Sequence, residues 1–318
     1  RLRISILKCY YFDIRILRRK LTFNEVDKII TSLEFRLYRS VFYSQGEIFI
    51  TLEELKNELN IVKQIIIDKH QSLYLDEINL LLQKIMQFGF HFASLDIRQN
   101  SKIHNLVFDD IVGFLKREKE LYFPENFDSM SENDKMEVVS KLKFDLNHHF
   151  FENELTRSTL DTIKLMRDIQ NDNGEKGCNR YIISNNESAL NVIETFAMFR
   201  LLAWENPTVD IIPLFESVDD LQKAHEIMAQ LYQNVAYRNH LKERKDKQTV
   251  MLGFSDGTKD GGYLMANWSI FKAKEMITKI SREYGIKVIF FDGRGGPPAR
   301  GGGKTHKFYA SLGSTIEN

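Results

Sequence analysis

The sequence predicts an α/β fold, a partial TIM-type (β/α) barrel embedded in many α-helices and mostly helical overall. Three observations carry this expectation. Five short apolar or β-rich runs, at 89–97, 180–184, 209–215, 249–254 and 287–291, fit buried strands. Long segments of helical periodicity separate the runs, the arrangement of a parallel sheet covered by helices. Polar, chemically capable residues gather at the end of every run: Asp96-Ile97-Arg98-Gln99, Asn185-Asn186-Glu187-Ser188, Glu216-Ser217, Ser255-Asp256-Gly257-Thr258-Lys259-Asp260 and Asp292-Gly293-Arg294. In a barrel the active site lies at the C-terminal rim of the strands, which such a series supplies; an open doubly wound sheet is the competitor. Five runs leave a cylinder of eight strands incomplete.

The elements follow in order. Residues 23–39, 51–69 and 72–88 carry apolar positions at helical spacing, and Thr51 followed by Glu54 is a capping-box candidate. Residues 1–88 are therefore expected to form a helical region packing on the barrel, and 89–318 the barrel itself. The stretch 106–175 is too long for a simple crossover and reads as an inserted helical hairpin, with Ser131 and Asp134 placed to cap one helix. The chain begins in what reads as mid-helix and stops without a closing element, so both ends read as cut.

Composition narrows the function classes. Hydrophobic residues make up 43% of the chain, enough for a sizeable core and too much for disorder. Lys+Arg and Asp+Glu both number 44, so no overall charge draws the chain to nucleic acid or membrane, and any anion site is local. Cys9 and Cys178 lie far apart without a CxxC partner, which argues for free thiols in a reducing cytoplasm. No apolar stretch is long enough to span a bilayer.

The strongest local feature is Gly293-Arg294-Gly295-Gly296-Pro297-Pro298-Ala299-Arg300-Gly301-Gly302-Gly303-Lys304-Thr305, directly after an apolar run. Its glycines let backbone N–H groups approach an anion, and Arg294 and Arg300 add forked positive charge suited to phosphate or carboxylate. A flexible surface loop is the plainer alternative. A P-loop ending in Gly303-Lys304-Thr305 needs glycine at 298, where Pro298 stands. An RNA-binding reading of the Gly/Arg composition fits poorly, because such segments are usually long, repeated and disordered. In Gly253-Phe254-Ser255-Asp256-Gly257-Thr258-Lys259-Asp260, Asp256 offers the hard oxygen that Mg²⁺ or Mn²⁺ prefers, although Asp and Gly also serve turns. Glu216 ends the run Pro213-Leu214-Phe215 and, in a barrel, lies one strand away from Asp256, so the two can share a cation. Arg98 is either an ion-pair partner of Asp96 or an inward-facing anion ligand. The histidines lack ligand spacing, and His91, inside the first run, reads as a core residue.

Together these motifs resemble the phosphoenolpyruvate carboxylases. That family shows Leu-Asp-x-Arg-Gln, Pro-Leu-Phe-Glu, Gly-Tyr-Ser-Asp-Ser-x-Lys-Asp and Gly-Arg-Gly-Gly-x-x-x-Arg-Gly-Gly in that order, matched here at 95–99, 213–216, 253–260 and 293–302. The resemblance implies conversion of phosphoenolpyruvate and bicarbonate to oxaloacetate and phosphate with Mg²⁺ or Mn²⁺, in a cytoplasmic enzyme that is a homotetramer when full length. It implies Glu216 and Asp256 as metal ligands and Arg98 and Arg294 as phosphoenolpyruvate ligands. Lys259 would assist bicarbonate, and Arg300 would contact bicarbonate or carboxyphosphate. The departures are Asp292 for the usual His, Phe254 for Tyr, Gly257 for Ser and Ala299 for Gly. The family's Thr-Ala-His-Pro segment is absent, so these residues alone are expected to be inactive. Two rival readings remain: a non-catalytic anion- or RNA-binding module built on the Gly/Arg loop, and another phosphoenolpyruvate-using barrel enzyme.

Overall fold

The computed structural model describes residues 2–43, 47–117, 122–293, 304–311, 313 and 315–316, and their side chains except at 148, 255, 256, 260, 305 and 308. Two compact units emerge, one from residues 1–95 and 168–178, the other from 96–167 and 179–318.

In the first unit apolar residues at helical spacing fold into four helices around one core. Helix α1 (Leu2–Lys20) buries Leu7, Tyr10, Ile14 and Leu17, and α2 (Val26–Tyr38) buries Val26, Ile30, Leu33 and Leu37. Helix α3 (Leu52–Lys69) adds Leu55, Leu59, Val62 and Ile66, and α4 (Leu75–Phe88) adds Ile78, Leu81, Leu82 and Ile85. Spacings of three and four residues put each set on one face of its helix. Helix α1 packs on α2 and α4, and α3 packs on α2 and α4, which closes the bundle. The predicted capping box is present: Thr51 Oγ1 accepts from the Glu54 N–H at 3.1 Å, and Glu54 accepts from the Thr51 N–H at 2.7 Å.

Two expectations need correction here. The helix expected from 72 begins at Leu75, because Gln71, Ser72 and Tyr74 have φ of 52°, 59° and 65°, incompatible with a right-handed helix. The strand expected from 89 is not there. Gly89 has φ 49° and Phe92 has φ 66°, so the chain turns, and His91 lies buried in that turn rather than in a strand.

Among the described residues the second unit holds five parallel strands: β1 (Asp96–Asn100), β2 (Arg180–Ser184), β3 (Asp210–Phe215), β4 (Lys247–Gly253) and β5 (Lys287–Gly293). Asp96 to Gln99 thus form the first strand instead of following it. The spatial order is β1-β2-β3-β4-β5 without reversal. A doubly wound sheet reverses at a switch point, whereas a (β/α) barrel proceeds from strand to next strand in chain order. The observed order lacks the reversal of a doubly wound sheet and is consistent with part of a barrel.

Helices α5 (Ser101–Arg117), α8 (Ala189–Arg200), α9 (Val218–Gln233), α10 (Val235–Glu243) and α11 (Ser255–Glu283) follow the strands, and α12 (Thr305–Ala310) follows β5. Between α5 and β2, among the described residues, the inserted stretch carries α6 (Glu132–Val139) and α7 (Glu154–Asn173) with short 3-10 turns. Ser131 caps α6, accepting from the Asp134 N–H at 3.3 Å.

Alternation along the strands sorts the sheet into two faces. Ile182, Ile212 and Leu214, with Met251, cluster on one face. Tyr181, Ile183, Ile211, Phe215, Val250 and Leu252 are buried on the other, helix-covered face. There His104 of α5 bridges β2 and α8, its Nε2 2.8 Å from the Tyr181 hydroxyl and its Nδ1 3.1 Å from Thr195 Oγ1. Among the described residues, no helix is long and apolar enough to cross a membrane.

Candidate active site at the C-terminal rim of the sheet

Glu216 follows the last residue of β3, and Ser217 is already the N-cap of α9. Ser217 Oγ accepts from the Asp220 N–H, and Asp220 Oδ2 accepts from the Ser217 N–H, both at 3.0 Å. This reciprocal cap ties the residue next to Glu216 to the first turn of α9, so the carboxylate leaves the sheet from a fixed backbone. Its side chain is 18% exposed.

Both Glu216 oxygens are engaged. Oε1 accepts from Arg98 Nη2 at 2.8 Å, and Oε2 accepts from the Asn185 N–H at 2.9 Å. Asn185 follows β2 with φ 54°, a left-handed conformation that Asn tolerates better than most residues. Its carbonyl accepts from the Ser101 hydroxyl at the start of α5. The ends of β1, β2 and β3 are thereby linked through one carboxylate. Arg98, with its side chain 49% exposed, does not pair with Asp96, which is bound instead by Arg180 at 3.2 Å.

The end of β4 comes close to the same residue. A Cβ on Gly253 would lie 3.2 Å from both Cα and Cγ of Glu216, and one on Gly257 would lie 3.4 Å from the Glu216 carbonyl oxygen. Glycine at 253 is what lets the end of β4 approach this closely, whereas a Cβ at 257 would make only ordinary van der Waals contact. Asp256 belongs to that first turn, but its side chain lies outside the described residues. Lys259 is exposed on α11. Phe254 is buried, and its ring meets Tyr263 edge-on at 5.9 Å. Arg294 and Arg300 lie outside the described residues.

At the end of β5, Asp292 is buried against α11. Lys274 Nζ stands 2.8 Å from its Oδ1 and donates to its Oδ2 at 3.0 Å, with the side chains 3% and 8% exposed. Neither Asn185 nor Lys274 was among the expected site residues. Asn at 185 is only a weak mark of its left-handed turn, since Asn is also common in ordinary loops. Lys274 leaves a clearer one, because it stands in the stripe Ile270, Ala273, Ile277 at buried spacing on α11.

The rim therefore brings Arg98 and Glu216 together across 118 residues of sequence and sets the start of α11 against them. A family profile described as phosphoenolpyruvate carboxylase matches residues 6–313. The chain belongs to the phosphoenolpyruvate carboxylase family. It is similar to the "Phosphoenolpyruvate carboxylase" of Prochlorococcus marinus subsp. pastoris, at 31% identity over 283 residues. That match covers 84% of this chain and 27% of the relative's length, so the chain spans about a quarter of the carboxylase it resembles.

A divalent metal is implied by carboxylase membership, and among the described residues the Glu216 carboxylate at the rim is of a chemistry compatible with one. Among the described residues each Glu216 oxygen accepts a single hydrogen bond, which leaves a further lone pair on each. Among the described residues no three His, Cys, Asp or Glu side chains gather as a cage. One or two carboxylates with water and substrate completing the shell is the pattern Mg²⁺ adopts.

Proposed function

We propose that the complete protein to which these residues belong is a cytoplasmic carbon–carbon lyase converting phosphoenolpyruvate and bicarbonate to oxaloacetate and phosphate. Family membership supports this reading, and the single observation that carries it is the 2.8 Å pair between Arg98 and Glu216. One residue of the pair suits an anion and the other a cation, on one rim. With the Arg98 side chain half exposed to solvent, the pair contributes only on the order of 1 kcal/mol. Incoming substrate can therefore exchange each partner at small cost, phosphate taking Arg98 and a metal taking Glu216.

In this reading Arg98 and Arg294 hold phosphoenolpyruvate, with Arg98 at the phosphate. Glu216 and Asp256 hold Mg²⁺ or Mn²⁺, which when bound stabilises negative charge on the enolate oxygen. Lys259 assists bicarbonate, and Arg300 contacts bicarbonate or the carboxyphosphate made from it. A bicarbonate oxygen attacks phosphorus, and the bond from phosphorus to the enol oxygen breaks. Carboxyphosphate then releases carbon dioxide and phosphate, and the enolate carbon adds to the carbon dioxide. Phosphoryl transfer needs positioned positive charge more than covalent help, which suits a rim furnished with arginine and lysine. Assembly as a homotetramer is part of the same proposal, and the 318 residues on their own are not expected to turn over.

The test uses the full-length enzyme, with oxaloacetate followed by NADH oxidation through malate dehydrogenase. Arg98→Ala is expected to lower kcat/KM for phosphoenolpyruvate by about tenfold to a hundredfold, the scale of a charged hydrogen bond. Glu216→Gln is expected to raise the Mg²⁺ concentration needed for half activity. Product formation that does not require bicarbonate would sink the reading, as would an Arg98→Ala enzyme with unchanged kinetics.

A further inference from the structure

Lys274 and Asp292 form a buried ion pair between α11 and the end of β5. Lysine and aspartate are almost never this buried unless paired. The pair lies on the helix-covered side of β5, where the Lys274 ammonium also stands 5.4 Å from the Phe290 ring centre. Around it α11 contributes Ile270, Ala273 and Ile277, all buried. An apolar pair in that layer would pack at least as well, since desolvating two charges offsets much of their attraction. What the ion pair adds is direction and charge balance. Both carboxylate oxygens lie within 3.0 Å of one nitrogen, so the strand end has one preferred position along α11. The carboxylate is also one residue from Gly293, where β5 reaches the rim. A bare negative charge there, screened by little water, would oppose any anionic substrate arriving at that rim.

We propose that Lys274 is a positioning residue for the carboxylase reaction: it neutralises Asp292 and fixes the end of β5 against α11, so that the rim accepts an anion. This rests on the carboxylase reading of the site. It predicts that a lone carboxylate harms substrate affinity, and that removing both charges repairs it.

The experiment compares full-length wild type, Lys274→Met, Lys274→Arg and the double variant Lys274→Met with Asp292→Asn. Lys274→Met is expected to raise KM for phosphoenolpyruvate by roughly tenfold, the scale of one unscreened charge at short range, with kcat changed less. The double variant should recover most of that loss, and Lys274→Arg should fall between wild type and Lys274→Met. If Lys274→Met does not fold, the double variant, which buries no unpaired charge, still decides: wild-type-like KM supports the proposal, and KM raised as far as expected for the single variant overturns it. Unchanged KM in a folded Lys274→Met enzyme also overturns it. A wild-type enzyme that forms no oxaloacetate overturns the functional reading instead. In that case titration with phosphoenolpyruvate, read by tryptophan fluorescence, decides the inference by the same order of affinities, and absence of any binding defeats it.

Discussion

His104 and Glu194 have shifted pKa values of opposite consequence. Burial holds the His104 imidazole down, to about 4 from an ordinary 6.5, between Tyr181 and Thr195. The unfolded chain takes up a proton below pH 6.5 while the native one does not, so stability falls as pH drops from 6.5 towards 4. Burial, then the nearby Asp109 charge, pushes the Glu194 carboxyl up to about 8 from 4.5, against a smaller opposing effect of Lys135. Here the native state keeps a proton that the unfolded chain loses, so stability falls as pH rises from 4.5 towards 8. Thermal melts should show both limbs. Glu194→Gln is expected to raise Tm at pH 8 and leave it nearly unchanged at pH 4.5, and His104→Gln should flatten the acid limb. At this scale the sequence was partly legible. Arg98 and Glu216 stand in sequence as charges beside apolar runs, and the structure pairs them. The pairing itself was not legible, because Asp96 is two residues away but, along a strand, pairs across to Arg180 instead. Asn185 was hidden because its contribution is a backbone N–H, which every residue but proline carries.

Among the elements, the helices were read most accurately because their signal is long and periodic. Thr51 and Glu54 mark the start of α3 in sequence, and the reciprocal bonds are present. Thr51→Ala is expected to cost about 1 kcal/mol, read as a shift of the urea midpoint with unchanged slope. The first strand was misplaced for a definite reason. Residues 89–95 are apolar and aromatic, as a strand would be, but left-handed φ values at Gly89 and Phe92 prevent extension. Periodicity cannot register such a turn. Helix α11 shows the same limit, since it is interrupted at Gly262, with φ 77° and ψ 171°, a conformation essentially confined to glycine. The break separates the turns carrying Asp256 and Lys259 from the long run that carries Lys274.

For the whole molecule, polar ends on successive apolar runs gave the parallel sheet and its polar rim, since both follow from local chemistry. The division into units was less legible, because residues 168–178, at the end of α7, join the first unit although they lie far along the chain. The sheet also bears on activity. Among the described residues β1 and β5 each pair with a single strand, and Ile289 and Phe291 of β5 are exposed on the face opposite α11. Water at such a face weakens every charge set near it. Residues 1–318 expressed alone are therefore expected to form no oxaloacetate under conditions where the full-length enzyme does, in the same NADH-coupled assay.

The unreversed succession of strands has a consequence for biosynthesis. Each strand after the first docks beside one that the ribosome has already released, and none must wedge between two established neighbours. The sheet can grow by accretion as the polypeptide emerges, with N-terminal parts settling first. The longest pause in that growth falls between β1 and β2, whose partners Asp96 and Arg180 are separated by 84 positions. Until α5, α6 and α7 have been made, β1 waits without β2 beside it, the longest such interval between successive strands of this sheet among the described residues.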